Sequence, residues 1–134
     1  MPEPAFHHLG LAARSPSHAA RFLASMGYAV GEAVRDPEQN VHLALATHPA
    51  MPTVEVVTPT ETEGPLEAVL RASAELAYHV CFEVDGADAQ VAAWRAARCR
   101  VACVSPPKPA VLFGGRRVSF WTVGGFGLVE LLER

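Results

Sequence analysis

Apolar and polar positions alternate over short runs along most of this chain, and two longer stretches switch to helical spacing. Ala5 to Ala13 is short and apolar and predicts a strand. Ser15-Pro16 offers an N-cap followed by proline at the first helical position. Ala19, Ala20, Phe22, Leu23 and Met26 then recur at helical spacing until Gly27 ends the run. Tyr28 to Val34 and Val41 to Ala46 read as strands joined by the turn Asp36-Pro37-Glu38-Gln39-Asn40. A turn bracketed by Pro49 and Pro52 leads into a further strand, Thr53 to Thr58. The element order of this half is β-α-β-β-β.

Pro59 to Gly64 is polar and acidic and marks a linker, with a short helix expected from Pro65 to Ser73. The order then repeats: a strand over Ala77 to Val84, a break at Asp85-Gly86, and a helix over Ala87 to Ala97 with Val91 and Trp94 on its apolar side. Next come a strand over Cys99 to Val104, a rigid loop at Pro106-Pro107-Lys108-Pro109, and strands over Val118 to Val123 and Leu128 to Leu132. The pattern predicts one α+β domain over residues 1–134. It comprises two tandem βαβββ modules, about 5–59 and about 77–134, joined by a linker of about 60–76. The modules are expected to form a curved eight-stranded mixed sheet around one metal site.

The repeat carries chemistry as well as shape. His8 and Glu55 fall near the start and end of the first module, His79 and Glu130 near the start and end of the second; His79 follows His8 by 71 positions and Glu130 follows Glu55 by 75. Strand side chains alternate faces with period two. His79, Cys81 and Glu83 therefore share the face opposite Val80, Phe82 and Val84, and Glu55 and Glu130 point away from their apolar neighbours. A carboxylate in an apolar strand is costly unless something cationic compensates it. Two imidazoles with two carboxylates form a mixed N/O donor set suited to one divalent Zn, Co, Ni, Mn or Fe. His7, His18, His42 and His48 read as ordinary surface or structural histidines. His7 and His42 fall off the inferred face, His18 lies in the amphipathic helix and His48 in a turn.

Composition narrows the partners. The 134 residues are half hydrophobic and carry a net charge of −3, which excludes disorder and argues against a nucleic-acid binder, since phosphate neutralisation needs a basic face. No apolar run approaches the roughly 20 residues a bilayer requires, and a cytoplasmic protein is expected. Cys81, Cys99 and Cys103 are read as reduced, small core residues. Lys108, Arg116 and Arg117 flank a flexible Gly114-Gly115 and are candidates to clamp a phosphate or carboxylate, although a solvated hairpin loop fits them equally.

Several segments together resemble the vicinal oxygen chelate superfamily, which includes glyoxalase I, methylmalonyl-CoA epimerase, extradiol dioxygenases and the bleomycin and fosfomycin resistance proteins. These are His8-Leu9-Gly10-Leu11-Ala12, Glu55-Val56-Val57-Thr58-Pro59, Gly64-Pro65-Leu66-Glu67-Ala68-Val69-Leu70, Tyr78-His79-Val80-Cys81-Phe82-Glu83-Val84 and Gly127-Leu128-Val129-Glu130-Leu131. The resemblance spans essentially the whole chain and is nearest to the methylmalonyl-CoA epimerases. It implies that His8, Glu55, His79 and Glu130 bind one divalent metal. It also implies an epimerase or isomerase that enolises an acyl thioester, with Glu130 or Glu55 moving the proton and Lys108, Arg116 or Arg117 near the phosphates of a CoA. Two departures stand out. Leu43 occupies the place where some epimerases carry a second base, and the His-Pro that usually follows the strand Arg116 to Trp121 is absent. A glyoxalase I-like lyase and a drug-sequestering resistance protein are the alternatives, and a homodimer is the expected assembly.

Overall fold

The computed structural model describes residues 3–134, in two compact units: residues 3–7 with His79–Arg134, and His8–Tyr78. We call them the His79 unit and the His8 unit. In chain order the first elements are β1 (Ala5–Ala13), α1 (Pro16–Ser25), β2 (Ala29–Val30), β3 (Val34–Asp36), β4 (Val41–Thr47), β5 (Thr53–Pro59) and α2 (Leu66–Val69). They are followed by β6 (Glu75–Val84), α3 (Ala87–Ala96), β7 (Val101–Pro109), a 3₁₀ turn over Val111–Phe113, β8 (Arg117–Val123) and β9 (Gly127–Glu133). The fold is α+β. None of the described helices is long and apolar enough to cross a membrane.

Each unit has the same sheet plan. In the His8 unit the strand order is β2-β4-β5-β1, with β3 also on β4; in the His79 unit it is β6-β9-β8-β7. One parallel pair, β1 with β5 or β6 with β9, joins otherwise antiparallel strands. A helix covers one face. Leu23 of α1 packs with Ala13, Val54 and Val56, while Val91 of α3 packs with Val84, Trp121, Val129 and Leu131. The expected parity holds, because Val129 and Leu131 of β9 lie in the helix-side core while Leu132 joins a separate cluster with Cys81, Ala110 and Val118.

Helix ends follow their local chemistry. Ser15 Oγ accepts a hydrogen bond from His18 N at 3.4 Å, and Pro16 begins α1 without losing a needed donor. Gly27 closes α1 in the left-handed region at φ +92, with Gly27 N donating to Ala24 O and Tyr28 N to Leu23 O, both at 3.0 Å. Helix α3 ends in the same way on a residue less suited to it. Arg98 takes φ +64, Arg98 N donates to Arg95 O and Cys99 N to Trp94 O, both at 2.9 Å.

Several expectations need correction. The strand expected over Tyr28 to Val34 is divided into β2 and β3, which makes nine strands among the described residues. Val30 faces Ala46 and Val34 faces Leu43, so four steps on one strand match three on the other, the signature of a bulge. Gly31 lies in it, with its N donating to Leu45 O at 2.8 Å. The loop expected at Pro106-Pro107-Lys108-Pro109 is instead the second part of β7. Its register against β8 shifts twice, and prolines are tolerated there because β7 ends its strand order and its outer N–H groups have no ladder partner to lose within the unit. The linker helix is shorter than Pro65 to Ser73. Cys99 and Cys103 are exposed, and only Cys81 is a core thiol. The two exposed thiols lie just before β7 and on it, where one neighbouring strand leaves much of the surface open.

The paired helix ends predict opposite responses. Gly27→Ala should cost about 1–2 kcal/mol, since a Cβ is disfavoured at positive φ and would meet His48 Nε2 at 3.1 Å. Arg98→Gly should be neutral or stabilising by up to about 1 kcal/mol. Urea melts of both variants against the parent check the pair of signs.

Candidate metal centre

The same His–Glu construction occurs once in each unit. In the parallel pair β1–β5, Glu55 lies opposite Gly10, two residues beyond His8; in β6–β9, Glu130 lies opposite Cys81, two residues beyond His79. A two-residue step returns to the same face of a strand, so imidazole and carboxylate emerge side by side. His8 Nε2 is 3.5 Å from Glu55 Oε1, and His79 Nε2 is 3.1 Å from Glu130 Oε1. All four residues are buried: His8 is 0 % exposed, Glu55 4 %, His79 3 % and Glu130 2 %.

The 3.1 Å separation in the His79 unit falls in the range for two ligands of one ion, and the 3.5 Å separation in the His8 unit lies just beyond it. Two donors each about 2.1 Å from one ion stand roughly 3.0–3.4 Å apart for angles between octahedral and tetrahedral. The 3.5 Å contact of the His8 unit is too long for a good N–H···O bond. Both units also present the same imidazole nitrogen, Nε2, to the carboxylate. Buried carboxylates at this depth demand a cationic partner or proton, and the donor types match a borderline divalent metal.

Other side chains shape each pair. In the His79 unit Phe120 faces Glu130 across β8–β9, and its ring meets the His79 imidazole edge to face at 5.3 Å. In the His8 unit Leu45 lies opposite Glu55 and Leu43 follows two residues along, so the buried Leu43 shares the Glu55 face. Phe120 was not singled out from the sequence, where it reads as one more apolar strand residue. Its pairing to Glu130 becomes visible only once the register is known.

The basic candidates lie in the His79 unit and are engaged locally. Arg116 Nη2 donates to Glu83 Oε2 at 2.6 Å and its Nε to Glu133 O at 2.8 Å; Arg117 Nε donates to Glu133 Oε2 at 2.8 Å. Lys108 is half-buried on β7 opposite Val118. The hydrogen bond from Arg116, reinforced by its charge and by those of Arg134 and His7, holds the Glu83 carboxyl below its ordinary range against a smaller opposing effect of burial. Glu133 raises the Arg117 guanidinium, first by hydrogen bonding and then by charge. His18 is exposed on α1, and His42 lies opposite Thr58 on the other face from Leu43 and Leu45. His48 accepts from Ala50 N at its Nδ1, and the His7 ring meets Phe113 edge to face at 5.1 Å.

Comparison with known proteins places this architecture. The sequence pattern of the Glyoxalase/Bleomycin resistance protein/Dioxygenase superfamily matches residues 7–120. No curated protein sequence matches the chain. Among solved structures, methylmalonyl-CoA epimerase from Mycobacterium tuberculosis aligns at TM-score 0.78 and 17 % identity, covering 96 % of this chain and 87 % of that one. A hypothetical protein of Bacillus halodurans aligns at TM-score 0.81 and 18 % identity over 99 % of this chain and 96 % of the other. Streptomyces coelicolor methylmalonyl-CoA epimerase in complex with 2-nitronate-propionyl-CoA aligns at 0.73 and 22 % identity, over 96 % of each chain. At these identities the likeness concerns the fold.

The Arg116–Glu83 pair has a pH signature. Because the folded-state pKa of Glu83 is depressed, its contribution to stability is complete above the unfolded carboxylate value and is lost as pH falls through the lower folded value. Glu83→Gln should therefore destabilise at neutral pH, within the roughly 0–1 kcal/mol of partly exposed ion pairs. The deficit should vanish in acid, where the parent has lost the same contribution. Thermal melts of both proteins across the acid range check the convergence.

Proposed function

Since the chain belongs to the glyoxalase/bleomycin resistance protein/dioxygenase superfamily, we propose that it is a divalent-metal-dependent epimerase or isomerase of an acyl thioester. In this reading both units serve one domain, and one ion is held by His8, Glu55, His79 and Glu130. The observation that carries it is the doubled, buried His–Glu pair. Each pair, His8 with Glu55 and His79 with Glu130, would then contribute one imidazole and one carboxylate to that ion.

When bound, the metal supplies Lewis acidity that lowers the pKa of a C–H next to a chelated thioester carbonyl. The proton itself must pass to a side chain. On the site face of each unit the neighbours of the two glutamates are Leu43 and Leu45 in one, Cys81 and Phe120 in the other. Glu55 and Glu130 are therefore the carboxylates assigned to that role, and the apolar neighbours exclude water and raise the strength of each electrostatic contact. The methylmalonyl-CoA epimerases among the similar structures make an acyl-CoA the natural first substrate class. Lys108, Arg116 and Arg117 are assigned to its anionic end, with Lys108 foremost because both arginines already hold carboxylates.

Leu43 supports a second reading. An epimerase moves protons on two faces of a carbon, and a leucine on the Glu55 face leaves that position without a base. A glyoxalase I-like isomerisation of a hemithioacetal uses the same donor set and makes less demand on that position.

Elemental analysis of protein purified without added metal should give one transition-metal ion per chain, and His8→Ala and His79→Ala should each abolish it. Two ions per chain, with each variant losing one, would overturn the shared ion. Metal present at about 100 times its dissociation constant should add about 2.7 kcal/mol to stability.

Solvent deuterium should enter the α-position of a 2-methyl acyl-CoA in the presence of the loaded protein. Glu130→Gln should lower that rate by about 10²-fold or more while changing substrate binding little, because a proton-transfer group acts mainly on the transition state. Lys108→Ala should raise KM. Conversion of methylglyoxal and a thiol to a hydroxyacyl thioester, without any exchange, would establish the glyoxalase-type reading instead. Silence in both assays with tight binding of an aromatic drug would establish sequestration.

A further inference from the structure

The two units close their helix-side cores differently, and the difference leaves a cavity of about 290 Å³ in the His79 unit. Phe82, Trp94, Val129 and Leu131 line it, with Phe126 at 61 % exposure and Gln90 as its polar member. It lies on the α3 side of the sheet, the face opposite Glu130 by strand parity.

The repeat identifies what is missing. The 71-position offset that relates His79 to His8 also relates Phe82 to Leu11, Gln90 to Ala19, Trp94 to Leu23 and Arg98 to Gly27. The 75-position offset relates Val129 to Val54 and Leu131 to Val56. The register agrees, for Leu11 faces Val56 and Phe82 faces Leu131. The helix ends agree as well: Tyr28 N donates to Leu23 O as Cys99 N donates to Trp94 O. In the His8 unit, Tyr28 packs against that core and its hydroxyl donates to Pro52 O at 2.7 Å. Its counterpart is Cys99, a small residue exposed to solvent. Trp94 is larger than Leu23 but is turned against Trp121, with ring centroids 6.5 Å apart, and the cavity remains.

We infer that this cavity is a binding site for a small molecule bearing a single aromatic ring, which takes the place that Tyr28 holds in the other unit. An apolar cavity of roughly 150 Å³ accommodates a benzene, so the volume admits one ring with a substituent. Apolar and aromatic walls with a single amide are the composition of small-ligand sites. The exposed Phe126, on a turn with Gly125 at φ +83 and Gly127 at φ +124, forms an apolar rim. The site is independent of the metal reading.

The test uses p-cresol, which is the tyrosine side chain without its backbone, and reads methyl NMR signals in the intact protein. Saturable shifts are expected at Val84, Val129 and Leu131, with none at Val54 and Val56. Cys99→Tyr should supply the ring from within, raise the melting temperature and weaken p-cresol binding by about tenfold or more. Gln90→Phe fills the cavity from the half-exposed face of α3 and should do the same if Cys99→Tyr fails to fold. Shifts that do not saturate, shifts centred elsewhere, or both filled variants binding p-cresol as the parent does would overturn the inference. So would the same methyl signals moving on dilution of the protein alone, which would mean that a second copy covers the cavity.

Discussion

Two carboxylates, Glu55 and Glu130, are almost wholly withdrawn from water, each beside an equally buried imidazole. Removing a carboxylate from solvent costs several kcal/mol even after relaxation, so each must be compensated where it stands. The parallel pairing of β1 with β5 and of β6 with β9 performs this by setting the glutamate two residues out of step with the histidine. A slip of one residue would turn the carboxylate into the helix-side core among Val54, Val56, Val129 and Leu131. The apolar alternation of these strands serves the buried charge as much as the core.

That constraint explains which features the two units share and which they do not. Helix position, parallel pairing and His–Glu offset are common to both. The edges have diverged: a bulge around Gly31 divides the strand in one unit, while a proline-bearing, twice-shifted β7 forms the edge in the other. The closure of the helix-side core has diverged too, with Gly27-Tyr28 in one and Arg98-Cys99 in the other. An edge strand or a helix end can vary without moving the parallel pair, so variation collects there.

The ion pairs of the His79 unit form a chain of a different kind. Arg134 and Arg116 both reach Glu83, Arg117 reaches Glu133, and Arg134 also holds Asp85 at 2.8 Å. These groups keep partial contact with water, and their attraction is modest and screened. Their effect is to hold the ends of β6, β8 and β9 together beyond the apolar core. A substrate anion recruited by Arg116 or Arg117 would have to compete with carboxylates already at hydrogen-bonding distance.

Much of this was legible in the residues alone. The repeated element order, the Ser15-Pro16 helix start and the parity that separates Glu130 from Val129 and Leu131 follow from local rules: period-two alternation, helical spacing and capping chemistry act over a few residues and can be read along a line, whereas the side-by-side placement of each histidine and its glutamate depends on the parallel register. Other features depend on which strand lies beside which. Pro106 to Pro109 could continue a strand because β7 occupies an edge, Cys99 and Cys103 are exposed for the same reason, and Phe120 meets His79 because β8 pairs with β9 in one particular register. The cavity beside α3 could not be read along the line, although the repeat sets Cys99 where the other unit has Tyr28. It is defined by the volume between a helix and a sheet, and that volume exists only after both have packed.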